Sequence, residues 1–299
     1  MSLHLPFQQS RNFCGIGNYY TQRYVVVGAP TDCATTFRSG SRMGPGAVRD
    51  ASLMLTDGTH EKYPVNLRKF VGDAGDMALP TGNVEAALEE IYSNAFSFRD
   101  HHLVTIGGDH SITLGLLRAI YAARKEPVAV VHFDAHCDTW SDHFGQPYGH
   151  GTWMFNAVEQ GLIDPAHTIS IGIRSPSDPI SRNYLREKGG ATISAKDAMM
   201  HNHIMMSDII RAKIGDKPCY LSLDIDCLDP AYAPGTGTPE IAGLTTMWLS
   251  SLIDQMQKIN WIGMDVVEVA PAYDHSQITA LAAATFVWQY LSMNISKTG

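Results

Sequence analysis

An alternation of short β-branched apolar runs with longer stretches of helical periodicity constrains this chain more than any other feature. Tyr24 to Val27, Leu103 to Ile106, Val128 to Phe133, Thr168 to Ile171, Tyr220 to Leu223 and Trp261 to Val267 each read as a buried strand. Between them, residues 84–99, 113–124, 207–214, 246–260 and 278–291 carry helical patterns. Asn83, Thr245 and Ser276 stand where N-caps belong. Parallel strands need crossover connections, and helices supply them. The alternation therefore predicts an α/β fold of three layers, α/β/α, around a mainly parallel central sheet. No linker, repeat or low-complexity segment interrupts the pattern, so residues 1–299 read as a single domain.

Composition narrows the function classes. Of 299 residues, 44% are hydrophobic and 17% charged, which suits a soluble protein with a large core. No stretch reaches the roughly 18 to 20 uninterrupted apolar residues of a membrane span. Met1 to Tyr20 is polar and aromatic, without a basic segment leading into an apolar one, so no leader and a cytoplasmic location are expected. The net charge of −8 and the lack of a basic patch argue against a nucleic-acid partner and are compatible with a cationic substrate. Cys14, Cys33, Cys137, Cys219 and Cys227 are odd in number and form no CxxC pair, so they read as reduced thiols.

In open parallel sheets, ligands bind beyond the carboxyl ends of the strands. Four segments in that position carry chemistry. After Phe133 comes Asp134-Ala135-His136-Cys137-Asp138; in an extended chain the alternate side chains Asp134, His136 and Asp138 share a face. After Leu223 comes Asp224-Ile225-Asp226, whose two carboxylates would repel unless a cation or a proton stood between them. After Ile106 comes Gly107-Gly108-Asp109-His110, where glycines permit close backbone approach; His110 is a candidate ligand and Asp109 reads as a structural cap. After Val267 stands Glu268, a carboxylate able to receive a planar cation through paired hydrogen bonds.

His110, Asp134, His136, Asp138, Asp224 and Asp226 exceed what one open catalytic metal needs, and suit two. Four carboxylates balance two divalent ions, and a set rich in oxygen without thiolate favours Mn2+ over structural Zn2+. Cys137 should point away and pack. Two metals about 3.5 to 4 Å apart lower the pKa of a shared water toward neutrality.

Gly107-Gly108-Asp109-His110-Ser111, the run from Phe133 to Thr139 and the run from Ser222 to Pro230 resemble the three signatures of the ureohydrolase (arginase/agmatinase) family. Gly235 to Pro239 is similar too, as is the segment from Val27 through Arg38, Gly44-Pro45 and Arg49. The likeness spans about residues 24–291, and Gly263 to Asp274 resembles the agmatinase version of its segment. The Asn and Ser with which arginases hold the amino-acid head of arginine are missing from 139–151. The resemblance implies an arginase-like fold and two Mn2+ per subunit, held by the six residues above. It implies that Glu268 binds the guanidinium, His150 binds substrate and shuttles protons, Asp138 carries a proton to the leaving amine, and Thr238 lines the substrate pocket. It further implies hydrolysis of agmatine to putrescine and urea, and a homo-oligomer, trimer or hexamer.

Rival readings are another guanidino substrate (guanidinobutyrate, guanidinopropionate or arginine), a two-metal phosphoesterase, and a non-catalytic regulatory or binding member. Phosphate sites usually add Arg, Lys or a helix N-terminus, and none stands beside these motifs. A non-catalytic member would be expected to lack ligands, and all six are present. Asp142, Glu240 and Asp274 are candidate partners for a distal amine. His201-Asn202-His203 with Met199, Met200, Met205 and Met206 reads as a loop leading into a helix whose methionines pack inward.

Overall fold

The structure is a computed structural model, and it describes residues 12–19, 21–56 and 58–297. Apart from 12–19, the expectation that Met1 to Tyr20 holds no leader falls outside these residues. Eight strands form one sheet: β1 (Tyr24–Ala29), β2 (Val71–Asp76), β3 (His102–Gly107), β4 (Val128–Phe133), β5 (Ile163–Ile173), β6 (Ala191–Ser194), β7 (Cys219–Asp224) and β8 (Trp261–Val267). Their order is β2-β1-β3-β8-β7-β4-β5-β6, and every pairing is parallel. The expected strands are all present, and the sheet is wholly rather than mainly parallel. Sequence reasoning missed β2 and β6. The first, Val-Gly-Asp-Ala-Gly-Asp, has no apolar run; the second is four residues long and only half-buried. Both lie at sheet edges, where one side of the backbone lacks a neighbour and apolar patterning weakens.

Nine helices among the described residues cover the two faces: α1 (Gly44–Ser52), α2 (Val84–Ser97), α3 (Ile112–Arg124), α4 (Trp153–Glu159), α5 (Pro179–Glu187), α6 (Ala195–Met200), α7 (His203–Ile214), α8 (Thr246–Ile253) and α9 (Ile278–Ile295). Strand alternation divides the core. Val131 and Phe133 of β4 pack with Val48, Met206, Leu249 and Phe286 from α1, α7, α8 and α9. Val128 and Val130 face the other way, onto Leu88, Leu117 and Trp153 from α2, α3 and α4. The result is the three-layer α/β/α arrangement. No helix of the described residues is long and apolar enough to cross a membrane.

Asn83 and Thr245 cap α2 and α8, accepting hydrogen bonds from the amides of Ala86 and Trp248. Ser276 does not cap α9. Gln277 occupies the N-cap with a left-handed backbone, and Asp274 takes over from outside the helix, accepting from the amides of Thr279 and Ala280. Asn202 caps α7, accepting from the amide of Met205. The methionines flanking this junction do not all pack inward as expected: Met206 is buried, whereas Met199 and Met200 of α6 and Met205 of α7 are exposed. They sit where α6 ends and α7 begins, and turn away from the sheet.

Candidate metal centre

Register sets the site before any side chain does. Ile106 pairs with Val266, Val266 with Leu223, and Leu223 with Phe133, so the four central strands end level with one another. The residues just beyond them, His110, Glu268, Asp224 and Asp134, therefore meet along one edge. The glycines at this edge are dictated by space. A Cβ on Gly108 would lie 1.8 Å from the backbone oxygen of Thr31, and one on Gly107 would lie 2.7 Å from side-chain atoms of both Ile112 and Val267.

His110 Nδ1 lies 3.1 Å from one oxygen each of Asp134, Asp138 and Asp224. It makes no hydrogen bond of proper geometry among the described residues, although it is fully buried. Its Nε2 lies 2.8 Å from Ser222 Oγ, whose own hydroxyl donates to Asp265 Oδ1 at 2.8 Å. With that proton committed to Asp265, Ser222 accepts from His110, which places a proton on Nε2. Nδ1 then presents a bare lone pair to three carboxylate oxygens unless a second proton or a cation intervenes. The second group is built the same way: His136 Nδ1 lies 3.2 Å from Asp134 Oδ1 and 3.1 Å from Asp226 Oδ2. Asp134 belongs to both groups, one oxygen to each. All six candidate ligands are thus brought together, divided into two clusters that share Asp134.

Electrostatics points to the same need for positive charge. Burial, and then the charges of Asp226 and Asp134, push the Asp224 carboxyl well above its ordinary range. Burial also raises Asp226, reinforced by Asp134 and opposed by His136. Burial would lower His110, yet the three carboxylates around it win and hold its pKa well above the ordinary imidazole value. These shifts mark a site that calls for positive charge, which divalent cations are suited to supply. The donors are imidazole nitrogen and carboxylate oxygen, buried, convergent and without thiolate, so they fit hard-to-borderline divalent metal.

The path of the chain differs from an extended run. β4 ends at Phe133, and Asp138 adopts a left-handed backbone with φ 54°. Asp134 and Asp138 still converge on His110, but the turn separates Asp138 from His136, which meets Asp134 and Asp226 instead. Cys137 is buried and joins neither cluster, and all five cysteines are free. Asp109 is structural, accepting from the amides of Ala34 and Ser111.

Glu268 also has a left-handed backbone, with φ 65°. Its Oε1 accepts from the His110 amide at 2.9 Å and from His150 Nδ1 at 2.8 Å, while Oε2 is buried without a partner among the described residues. One carboxylate oxygen, not the expected pair, is left for a cation. His150 Nε2 accepts from the Thr36 amide and lies 2.7 Å from Thr36 Oγ1. Burial lowers the His150 pKa, but Glu268, with Asp109 and Asp138, raises it overall. Thr238 Oγ1 donates to Asp226 Oδ2 at 3.2 Å. A cavity of about 170 Å³ lies over these groups, walled by Thr36, Trp140, His143, Ser175 and Thr238.

Of the three candidate amine partners, Asp274 is consumed at the start of α9 and Asp142 closes a turn on the Gly145 amide. Glu240 stays beside the cavity, bonded to Ser175 Oγ at 2.8 Å and 4.0 Å from His136 Nε2. Sequence reasoning missed His132, whose Nε2 lies 2.9 Å from Asp134 Oδ2. It stands two residues before Asp134, and the alternation that grouped 134 with 136 would have included it. Ser222, Asp265 and Trp153, whose indole donates to Asp138 Oδ2 at 2.7 Å, lie inside regular elements and give no such signal.

With a parallel α/β/α sheet and a shared-carboxylate cluster at its carboxyl edge, the chain belongs to the arginase family, whose profile matches residues 22–292. It is an enzyme of the ureohydrolase class. A Shigella sonnei protein named agmatinase is 42% identical over 285 residues, covering 92% of this chain and 89% of that one. The crystal structure of a hypothetical agmatinase from Burkholderia thailandensis superposes with a TM-score of 0.90 at 38% identity, covering 98% and 93% of the two chains. The proclavaminate amidino hydrolase of Streptomyces clavuligerus also gives 0.90, at 34% identity over 97% and 98%.

Proposed function

We propose that this protein hydrolyses the guanidino group of agmatine to putrescine and urea, using two Mn2+ per subunit. The observation that carries the reading is His110 Nδ1, buried 3.1 Å from three carboxylate oxygens with Asp134 shared to a second histidine. His110, Asp134, Asp138 and Asp224 would hold one ion, and Asp134, His136 and Asp226 the other. When bound, such a pair balances four carboxylates and supplies the Lewis acidity that makes water nucleophilic near neutral pH.

The chain's own groups perform the rest. Glu268 Oε2 accepts a guanidinium N–H, a charge-assisted bond that fixes the planar cation over the cluster. Asp138 takes a proton and delivers it to the leaving amine. His150, poised between Glu268 and Thr36, returns protons toward the cavity through the Thr36 hydroxyl. Thr238 lines the pocket and steadies Asp226. The four-carbon arm and its amine extend toward the mouth, where Glu240 is the acidic group beside Ser175. The names carried by the relatives support agmatine. The amidino hydrolase relative favours a second reading, in which another guanidino compound is preferred.

The same proposal takes residues 1–299 as one domain in a cytoplasmic location, as the sequence pattern suggests, and a homo-oligomer, trimer or hexamer, as the resemblance implies. A urea-release screen over agmatine, arginine, guanidinobutyrate and guanidinopropionate, with Mn2+ supplied, tests it. Agmatine should give the highest kcat/KM; release from none of the four would defeat the reading. Asp134→Asn should lower agmatine turnover by at least about 1000-fold while the far-ultraviolet dichroism stays unchanged. Full turnover at one metal per subunit would exclude the two-ion site.

A further inference from the structure

One residue outside the metal cluster ties together the loops that build it. Arg174 is the first residue beyond β5, and Ile171 of β5 pairs with Phe133, so Arg174 emerges beside the 134–138 segment. Its backbone amide donates to Ala135 O at 2.8 Å, and the Ala135 amide in turn donates to Asp226 Oδ1 at 3.1 Å. The hydrogen-bond partners of its half-buried guanidinium are six backbone carbonyl oxygens.

Five of those carbonyls belong to two segments at the site. Nη1 donates to Cys227 O at 3.2 Å, and Nη2 to Asp226 O and Leu228 O at 2.9 and 3.1 Å. Nη2 also donates to Glu240 O at 2.6 Å, and Nε to Ile241 O at 2.9 Å. A single nitrogen thus joins the backbone of the candidate ligand Asp226 to that of Glu240 at the mouth. The next residue, Ser175, holds the Glu240 side chain through its hydroxyl at 2.8 Å. Packing around the fork is tight: a Cβ on Gly243 would lie 2.6 Å from Nη2. A planar guanidinium with five N–H groups can span acceptors on two sides, whereas a lysine ammonium is a point charge with three. An arginine that only anchored one loop would serve the carbonyls of that loop. This one divides its donors between 226–228 and 240–241, and its amide reaches the segment that carries Asp134 and His136.

We propose that Arg174 is a positioning residue that fixes the separation between the metal-binding loops and Glu240, and so sets the length of substrate the site accepts. The guanidino end is placed by the cluster and Glu268, and the distal amine by Glu240. The distance between the two ends is then a property of the frame that Arg174 holds. The part of this inference that concerns length rests on the agmatine reading; the part that concerns the metal-binding loops does not.

The test compares the full-length parent with Arg174→Lys and Ser175→Ala. Two readouts are taken: Mn2+ affinity by equilibrium titration, and kcat and KM for urea release from agmatine and from its homologues one methylene shorter and one longer. Arg174→Lys keeps the charge and loses the fork. It should shrink the preference for agmatine over both homologues by at least about tenfold, mainly through KM, because the distal end is held alike in ground and transition states. It should also weaken Mn2+ binding by about tenfold, since the ligands stay but their support loosens. Ser175→Ala keeps the carbonyl bonds and frees only the Glu240 side chain. It should reduce the preference severalfold and leave Mn2+ binding unchanged. If Arg174→Lys melts at a lower temperature yet keeps the parent's preference or its Mn2+ affinity, the residue is merely structural and the proposal is overturned. If that variant fails to fold, an unchanged preference in Ser175→Ala overturns it. A parent that releases no urea from agmatine would sink the substrate reading separately, and unchanged Mn2+ affinity in Arg174→Lys would still sink this one.

Discussion

Asp134 offers one oxygen to His110 and the other to His136, and the immediate neighbours of those histidines decide which nitrogens face inward. The chain from Asp265 through Ser222 to His110 Nε2 is the clearest case, because it leaves Nδ1 as the only nitrogen able to serve as a ligand. Ser222→Ala should therefore weaken Mn2+ binding by about 10- to 100-fold, measured by equilibrium metal titration, with little change in kcat at saturating metal. Unchanged metal affinity would show that packing alone orients the ring. His102, at the start of β3, obeys the opposite logic. Burial, helped by the charges of Arg23 and Lys297, drives its pKa down to about 3, and Nε2 meets Tyr290 OH at 2.8 Å. The folded state thus resists a proton that the unfolded chain accepts near 6.5. Its contribution to stability is fully present above pH 6.5 and is lost as pH falls from there toward 3. His102→Gln should flatten the urea-unfolding midpoint between pH 6.5 and 4 relative to the parent; an equal acid slope would assign that slope to other groups. The six candidate ligands were legible in the sequence because each follows an apolar strand. Ser222 and Asp265 were not, since a polar residue inside a strand gives no sign of what lies behind it.

Elements deliver these residues through register and close approach. Gly108 lets the β3 terminus run against Thr31, and Asn83 and Thr245 start α2 and α8 as their residue types predict. The β1-to-β2 edge is held differently. Arg49 of α1, 5% exposed, forks onto Asp73 of β2 at 2.8 and 2.9 Å and also reaches Asp76. Burial opposes the charge of Arg49, and the paired carboxylates restore it and raise its pKa overall. Arg49→Ala would strand the buried Asp73 carboxylate and should cost about 3 to 5 kcal/mol, read by denaturant unfolding; a loss under 1 kcal/mol would show that water reaches Asp73. Motif resemblance drew attention to Arg49, but its partner stayed invisible because β2 lacks an apolar signature. The short helices α4, α5 and α6 escaped for a related reason: each is nine residues or fewer and buries only two or three side chains.

At the scale of the whole molecule, four buried carboxylates at one sheet edge make metal and stability interdependent. Chelation of the Mn2+-loaded protein should lower its melting temperature by several degrees, and added Mn2+ should restore it, by calorimetry; an unchanged transition would mean that protons satisfy the site as well as ions do. Local composition by itself determined the alternation of strands and helices, the parallel sheet it requires, and the polar residues placed just beyond strand ends. Those properties follow from periodicity and from the rule that a buried strand must finish before a charge can appear. Tertiary structure alone decided that β3, β8, β7 and β4 stand side by side and end level, that Asp134 is shared between two histidines, and that Glu268 keeps one oxygen open. Such facts depend on contacts between segments up to 158 positions apart, as between His110 and Glu268, and nothing local in a sequence encodes a distance across a sheet.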